Sequence, residues 1–222
     1  MSEKIYRVGF IIDGFNLYHS LDEVYRKDKE KHSTKWLNLQ SLCQSYIQAI
    51  GQELGERVAL ERVDYFSALA THLTAKHPEK VIKHKDYIRC LEKTEVRVNL
   101  GRFKKKEIKY RNHKCRVSIF THEEKETDVA LAVSAFELFH NDTIDVLAVV
   151  SGDSDLVPAV QAVKRNFPDK KVVAVFPSGR KSDDLEKNVD ASIRISSKAY
   201  AKHQLPNPFQ LDNLQIAKPE TW

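Results

Sequence analysis

Acidic residues follow two separate apolar runs of this chain. Asp13 opens a DGFN turn directly after residues 8–12, and Asp153 and Asp155 lie in an SGDSD turn directly after residues 144–150. A carboxylate packed beside a buried strand must be paired, hydrated or bound to a metal ion. If the two strands are neighbours in a parallel sheet, both turns open onto the crevice at its carboxyl edge, where open α/β sheets bind ligands. Three carboxylates in that crevice would form a site for a divalent cation.

The same turns and one helix supply further candidate residues. Asn16 offers a neutral oxygen or amide beside Asp13, and the Ser151 hydroxyl can hold the backbone of its turn. Asp128 lies in a run of acids at the start of a predicted helix, which would bring it to the same crevice. Hard cations such as Mg²⁺ and Mn²⁺ prefer oxygen ligands of this kind. Water activated by one ion, with a second ion at the leaving oxygen, is the chemistry of phosphodiester hydrolysis.

Each of these acids also fits a structural role when it is taken alone. Asp13 and Asp153 are typical turn residues, and Asp155 suits the first turn of a helix. The metal site is favoured because the acids follow two separate buried strands. Haloacid-dehalogenase-like phosphatases carry a second Asp two residues after the first, but Phe15 occupies that position here. The sequence also lacks the GxGxxG, GxxxxGK[ST] and GxSxG motifs, and its histidines show no ligand spacing.

The positive charge of the chain is concentrated in one segment. The net charge is +5, but residues 83–116 hold thirteen Lys or Arg against four acids, so this segment carries +9 and the remainder is net acidic. A basic segment beside an acidic crevice suits a polyanion, because Lys and Arg displace counterions from phosphates. A solvated basic surface is the alternative. The residues predicted to contact phosphates are Arg102, Lys104, Lys105 and Lys106, and Phe103 and Tyr110 lie among them to stack on bases or to pack.

The strands that would position these residues follow an α/β pattern. Residues 8–12, 144–150 and 172–176 are continuous apolar runs, typical of strands buried on both faces of a parallel sheet. Residues 58–67 predict another strand, and residues 95–100 a weaker one. Strands that alternate with helices at this spacing indicate right-handed βαβ units and a doubly wound, mostly parallel sheet.

Helices and one irregular segment lie between the strands. Residues 39–50 and 129–139 have helical spacing, and Thr127 is the predicted N-cap of the second of these helices. A third helix is expected from about Asp155, with Pro158 in its first turn, where a missing N–H costs little. Residues 101–120 interrupt the α/β pattern and are predicted to form a basic insert, as an antiparallel strand or hairpin.

The chain is expected to form one domain over residues 1–198, followed by a tail over residues 199–222. The tail has no helical or strand period, so it is expected either to lie on the domain or to be disordered. No apolar stretch reaches the roughly 18 residues of a membrane helix, and no signal peptide is visible. The three cysteines are isolated in sequence, which indicates structural thiols in a reducing compartment such as the cytoplasm.

Three segments in this order resemble the NYN family of the PIN-like nuclease superfamily. They are DGFNLY from Asp13, KETDVALA around Asp128, and SGDSDL from Ser151, and residues 185–190 are similar to the family's last characteristic stretch. The resemblance spans roughly residues 5–196 and is greatest to the bacterial LabA-like subgroup. It implies a PIN-like α/β/α sandwich and metal-dependent ribonuclease activity. The positions that match the family's acidic metal site are Asp13, Asp128, Asp153 and Asp155, and Asn16 matches its auxiliary polar position.

The sequence thus predicts a Mg²⁺- or Mn²⁺-dependent ribonuclease. Asp13, Asp153 and Asp155 would hold the first metal ion. Asp128 would complete or bridge the site, and Asn16 and Ser151 would orient ligands or water. Two alternatives stay open: a non-catalytic module that binds RNA or a protein, and a phosphatase for small substrates. The sequence leaves open the choice of RNA, endonuclease or exonuclease cutting, and whether a second copy or another protein is a partner.

Overall fold

The computed structural model describes residues 4–28, 32–112, 115–220 and 222, and the side chains of residues 108–119 lie outside this description. Its main feature is a seven-stranded sheet. The strands are β1 (Tyr6–Asp13), β2 (Val58–Ala68), β3 (Val96–Asn112), β4 (Cys115–Lys125), β5 (Val146–Val150), β6 (Lys171–Phe176) and β7 (Ala191–Arg194). Their spatial order is β4-β3-β2-β1-β5-β6-β7, and every neighbouring pair except β3–β4 is parallel. The predicted fold class, α/β with a mostly parallel sheet, is confirmed.

The register of β1 and β5 decides where the two acidic turns lie. The two strands pair in parallel, with Ile12 opposite Val150. Both strands are almost fully buried, as their continuous apolar sequences predict. Asp13 and Ser151, the next residues along each strand, therefore meet at the same carboxyl edge of the sheet.

Helices cover both faces of the sheet. They are α1 (Gly14–Lys27), α2 (Leu39–Leu54), α3 (Pro78–Lys93), α4 (Thr127–His140), α5 (Val157–Asn166), α6 (Asp183–Glu186) and α7 (Ser197–Lys202). Successive strand residues point to opposite faces, so Phe10 and Ile12 pack in a core with α1, α2 and α3, whereas Ile11 packs in a second core with α4 and α5. The result is a three-layer α/β/α arrangement, consistent with a PIN-like fold.

The predicted helices form, with one correction at a helix start. Residues 39–50 lie in α2, and Pro158 lies in the first turn of α5 as expected. Thr127, however, is not an N-cap. It is the first residue of α4, and the cap position is taken by Glu126 in a left-handed conformation with φ of 82°. The backbone N–H and the hydroxyl of Thr127 both donate to the Glu124 carboxylate, which takes the capping role instead.

The basic insert is an antiparallel extension of the sheet. β3 begins as a parallel partner of β2 and continues beyond Gly101 as a long arm that pairs with β4, from Arg102 opposite Lys125 to Asn112 opposite Cys115. The predictions of a strand at residues 95–100 and of an antiparallel hairpin in the insert are both confirmed. The arm places the basic residues at one edge of the sheet.

The residues after α7 pack on the domain. A two-stranded hairpin, β8 (Phe209–Leu211) and β9 (Leu214–Ile216), forms where the sequence shows no strand period. Phe209 and Ile216 are buried, and the Trp222 ring contacts the rings of Trp36 and Tyr87. The boundary near residue 198 stays a prediction. No helix in the described ranges combines the length and apolarity needed to cross a bilayer.

Candidate active site

Asp13 is a buried residue at the carboxyl edge of the sheet. It ends β1 and caps α1, because its Oδ1 accepts a hydrogen bond from the backbone N–H of Asn16 at 3.0 Å. Its Oδ2 accepts a hydrogen bond from the Ser151 hydroxyl at 2.9 Å. Only 6% of the residue is exposed. Burial raises the pKa of Asp13 above its usual value, and the two hydrogen bonds partly oppose this rise.

A chain of hydrogen bonds ties the two acidic turns together. The Ser151 hydroxyl also accepts from the backbone N–H of Asp153 at 3.0 Å, and Asn16 Oδ1 accepts from the backbone N–H of Gly152 at 3.0 Å. Asp153 Oδ1 in turn accepts from the backbone N–H of Asp155 at 2.9 Å. Ser151 and Asn16 therefore fix the turns, and the role predicted for them in orienting ligands or water stays a prediction.

Two glycines allow these turns to lie as close to their neighbours as they do. A β-carbon at Gly14 would lie 2.5 Å from the carbonyl oxygen of Phe66. A β-carbon at Gly152 would overlap the carbonyl oxygen of Arg180, in the loop after β6. Both obstacles are backbone atoms, so rotation of a side chain would not relieve them. Glycine is required at both positions by close approach.

Asp128 lies in the first turn of α4, close to the other acids. Its pKa is raised, first by partial burial and then by the negative charges of Asp13, Glu124, Asp153 and Asp155. The structure thus brings all four predicted aspartates to one edge of the sheet. Glu124 belongs to the same acidic group but is absent from the predicted site residues. The acidic run at residues 123–128 is the signal that could have identified it.

The acidic group fits a divalent cation by its donor chemistry. Its members are carboxylates, the ligands that Mg²⁺ and Mn²⁺ prefer. No salt bridge of the described residues neutralises Asp13, Asp128, Asp153 or Asp155, and the charges of this group repel one another. Across the described part of the chain, no three His, Cys, Asp or Glu side chains already converge as a metal-binding group. The acids are close enough for their charges to act on Asp13 and Asp128, and binding would require side chains to turn toward a shared ion.

The predicted phosphate-contacting residues are divided between two faces of the β3 arm. Alternate residues share a face, so Arg102, Lys104 and Lys106 lie on one face and Lys105 lies with Phe103 on the other. Arg102 Nε donates to Glu126 at 2.7 Å, and Lys106 lies 2.8 Å from a Glu123 oxygen.

Lys105 Nζ sits 3.8 Å from the centroid of the Phe120 ring. The Phe103 ring packs edge-on against Phe15, with 6.0 Å between their centroids. The side chain of Tyr110 lies outside the described residues. Of the four predicted phosphate-contacting residues, Arg102 and Lys106 are therefore paired with acids and Lys105 lies against a ring.

Comparison with known proteins identifies the family. The model of the NYN domain matches residues 7–196. The chain belongs to the NYN domain family. NYN domains are generally nucleases with a PIN-like fold. This chain therefore has a nuclease-type fold, and the acidic carboxyl edge of its sheet is the candidate active site. The predicted family is confirmed at this level.

Two similar proteins do not add a function. A solved structure, the protein of unknown function VPA0982 from Vibrio parahaemolyticus, superposes with a TM-score of 0.55 at 18% identity, over 89% of this chain and 97% of that one. At that identity it supports the fold alone. The uncharacterized protein MJ0482 from Methanocaldococcus jannaschii is 32% identical over 93 residues, which are 42% of this chain. The match spans about a third of that relative, 34% of its length.

Proposed function

We propose that this NYN protein is a divalent-metal-dependent ribonuclease that hydrolyses RNA phosphodiester bonds at the carboxyl edge of β1 and β5. The observation that carries the proposal is the group of four aspartates from three chain segments, which no basic side chain in the described ranges neutralises. Uncompensated carboxylates at a sheet edge are costly. A cation that brings a phosphate with it would offset this repulsion.

The proposed roles follow the predicted site residues. Asp13, Asp153 and Asp155 would hold Mg²⁺ or Mn²⁺, and Asp128 would complete or bridge the site. When bound, such an ion lowers the pKa of water and offsets charge on the phosphate. Ser151 holds Asp13 and the Asp153 backbone at once, and Asn16 holds the turn at Gly152. These two residues are proposed to keep the carboxylates oriented during turnover.

RNA is proposed as the substrate on two grounds. NYN domains are generally nucleases, and the long β3 arm supplies Arg102, Lys104, Lys105 and Lys106 near the site for contacts with phosphates. We also propose the LabA-like subgroup, on the three motifs quoted above. A cytoplasmic location is proposed because Cys43 and Cys90 are buried free thiols, as in proteins of a reducing compartment.

The deciding experiment is cleavage of an end-labelled single-stranded RNA with Mn²⁺, Mg²⁺ or EDTA. Wild-type protein is compared with Asp153→Asn and with Asp169→Asn, an exposed aspartate just before β6 and therefore at the opposite edge of the sheet. We expect metal-dependent cleavage by wild type and Asp169→Asn. Loss of one charged ligand should lower the rate of Asp153→Asn by about 10²-fold or more.

The other outcomes would each replace part of the proposed function with a named alternative. RNA that is bound but uncut by every form would favour the non-catalytic module, an outcome consistent with the absence of a converged metal group in the described residues. Hydrolysis of generic phosphomonoesters without cleavage of RNA would favour the phosphatase. Equal cleavage by wild type and Asp153→Asn would move the active site away from the SGDSD turn.

A further inference from the structure

A large cavity adjoins the acidic edge on the α1 and α3 side of the sheet. Its volume is about 580 Å³, within the range of roughly 300–1,000 Å³ found for small-ligand pockets. Gly14 and Phe15, the two residues after Asp13, form part of its wall. Consecutive Cα atoms are about 3.8 Å apart. The cavity therefore begins one residue from the buried carboxylate of the candidate active site.

The wall of this cavity is rich in aromatic rings. It includes Phe15, Tyr18, Tyr65, Tyr87, Phe103 and Trp222. These rings come from α1, β2, α3, the β3 arm and the residues after β9. No local sequence pattern could therefore predict the cavity. Tyr18 is 45% exposed although it lines the cavity, which leaves its ring accessible to a ligand. Aromatic faces of this kind stack unpaired bases.

The charge in the wall of the cavity suits a phosphate. Lys80 and Lys83 lie three residues apart on α3 and both line the wall. Glu79 is the one acid among the described residues of the wall, and it lies 3.4 Å from His77 Nδ1. A third lining lysine, Lys35, is paired with Asp22 at 2.9 Å. Lys35, Lys80 and Lys83 together place positive charge beside the aromatic rings.

We propose that this cavity holds one unpaired nucleotide of the RNA, next to the phosphate that lies at the acidic edge. The base would stack among the aromatic rings, with Tyr18 as its accessible face, and its phosphate would lie against Lys80 and Lys83. The inference rests on the proposed function, because it takes RNA as the ligand. It adds the requirement that a base be unpaired beside the scissile phosphate, since a paired base would first have to leave its stack.

The test is binding of a labelled single-stranded RNA by full-length protein carrying Asp153→Asn, in Mg²⁺, with the strand checked on a gel for intactness. Tyr18→Ala is added to this background. Its matched control is Phe136→Ala, which removes a similarly exposed ring, 40% exposed, from α4 on the opposite face of the sheet. We expect Tyr18→Ala to weaken binding about 10-fold, and Phe136→Ala to leave the affinity within about 2-fold of the background protein.

A second set of ligands tests the nucleotide itself. The same RNA is made with a single abasic ribose at each position in turn. Loss of the base at one position should lower the affinity about 10-fold for the protein that keeps Tyr18. The same loss should change the affinity little for Tyr18→Ala, because the two changes remove the same contact. A flat profile and equal affinities for all variants would overturn the cavity proposal and leave the ribonuclease standing. Absence of RNA binding by every form would overturn both.

Discussion

Carboxylates lie at both ends of the β1–β5 pair, but the two ends differ in whether basic side chains pair with them. At the amino edge, Asp145 accepts hydrogen bonds from the backbone N–H and Nε of Arg7, at 3.0 and 2.9 Å, and from Lys170 Nζ at 3.1 Å. The Arg7 hydrogen bonds hold the pKa of Asp145 well below its usual value. At the carboxyl edge, Asp13 and Asp128 have raised pKa values and receive no hydrogen bond from a basic side chain in the described ranges.

The contrast separates structural carboxylates from carboxylates available to a ligand. The fold neutralises Asp145 with its own cations, so this residue contributes to stability. It positions the acids of the other edge through neutral donors, the Ser151 hydroxyl and backbone N–H groups, and leaves their charge uncompensated. Removal of the same charge at the two ends should therefore have opposite consequences for activity and for stability.

The largest expected effect is on activity. Asp13→Asn keeps an acceptor that can cap α1 but removes the buried charge, so we expect RNA cleavage to fall by about 10²-fold or more. Asp145→Asn should retain wild-type cleavage at a temperature where it is folded. Initial rates under saturating Mn²⁺ measure both. Similar losses in the two variants would erase the distinction between the two ends.

A smaller effect is expected on stability, in the opposite variant. Asp145→Asn removes the buried anion that Arg7 and Lys170 share and leaves these cations with the exposed Asp142. This should lower the free energy of unfolding by about 2 kcal/mol at pH 7. Because the pKa of Asp145 is depressed in the fold, its contribution is present above the unfolded value of about 3.9 and is lost as the pH falls through the lower folded value. Urea unfolding at pH 7 and in acid should show the gap to wild type narrow below about pH 4. A constant gap would contradict the pairing.

The smallest expected effect is a gain of stability. The raised pKa of Asp128 means that its charge opposes folding, and this cost is present above its folded pKa and absent below the unfolded value of about 3.9. Asp128→Asn should therefore stabilise the protein by about 0.5 kcal/mol at pH 7 in EDTA, the scale of exposed charge interactions. The gain should vanish as the pH falls toward 4. Urea unfolding measures it, with Asp169→Asn as the control, and a loss of stability would mean that Asp128 is a structural residue.

The parts of this molecule that depend on the local pattern of apolar and polar residues can be predicted from the sequence. The continuous apolar runs identify β1, β5 and β6, and the parallel pairing of β1 with β5 brings the acidic turns to one edge as expected. The antiparallel hairpin was predictable because residues 115–120 alternate.

The parts that depend on distant partners could not be predicted. Thr127 has the residue type of an N-cap, but the nearby Glu124 carboxylate takes that role. The cation pairs of the arm, such as Arg102 with Glu126, need the register of β3 against β4. The aromatic cavity is assembled from five segments, and its Trp222 lies in a stretch without any period. Composition predicted the charge of the basic segment but not its division between two faces.

The contact between Gly152 and the Arg180 carbonyl has a consequence for how this family can diverge. Because the obstacle to a β-carbon is main chain, residue 152 cannot change alone, and replacement of the Arg180 side chain offers no relief. The acidic turn and the loop after β6 must therefore evolve as a pair, with the loop displaced before any other residue is tolerated. Descendants of this protein should therefore keep glycine at position 152 over long evolutionary times, even where the surrounding surface residues change.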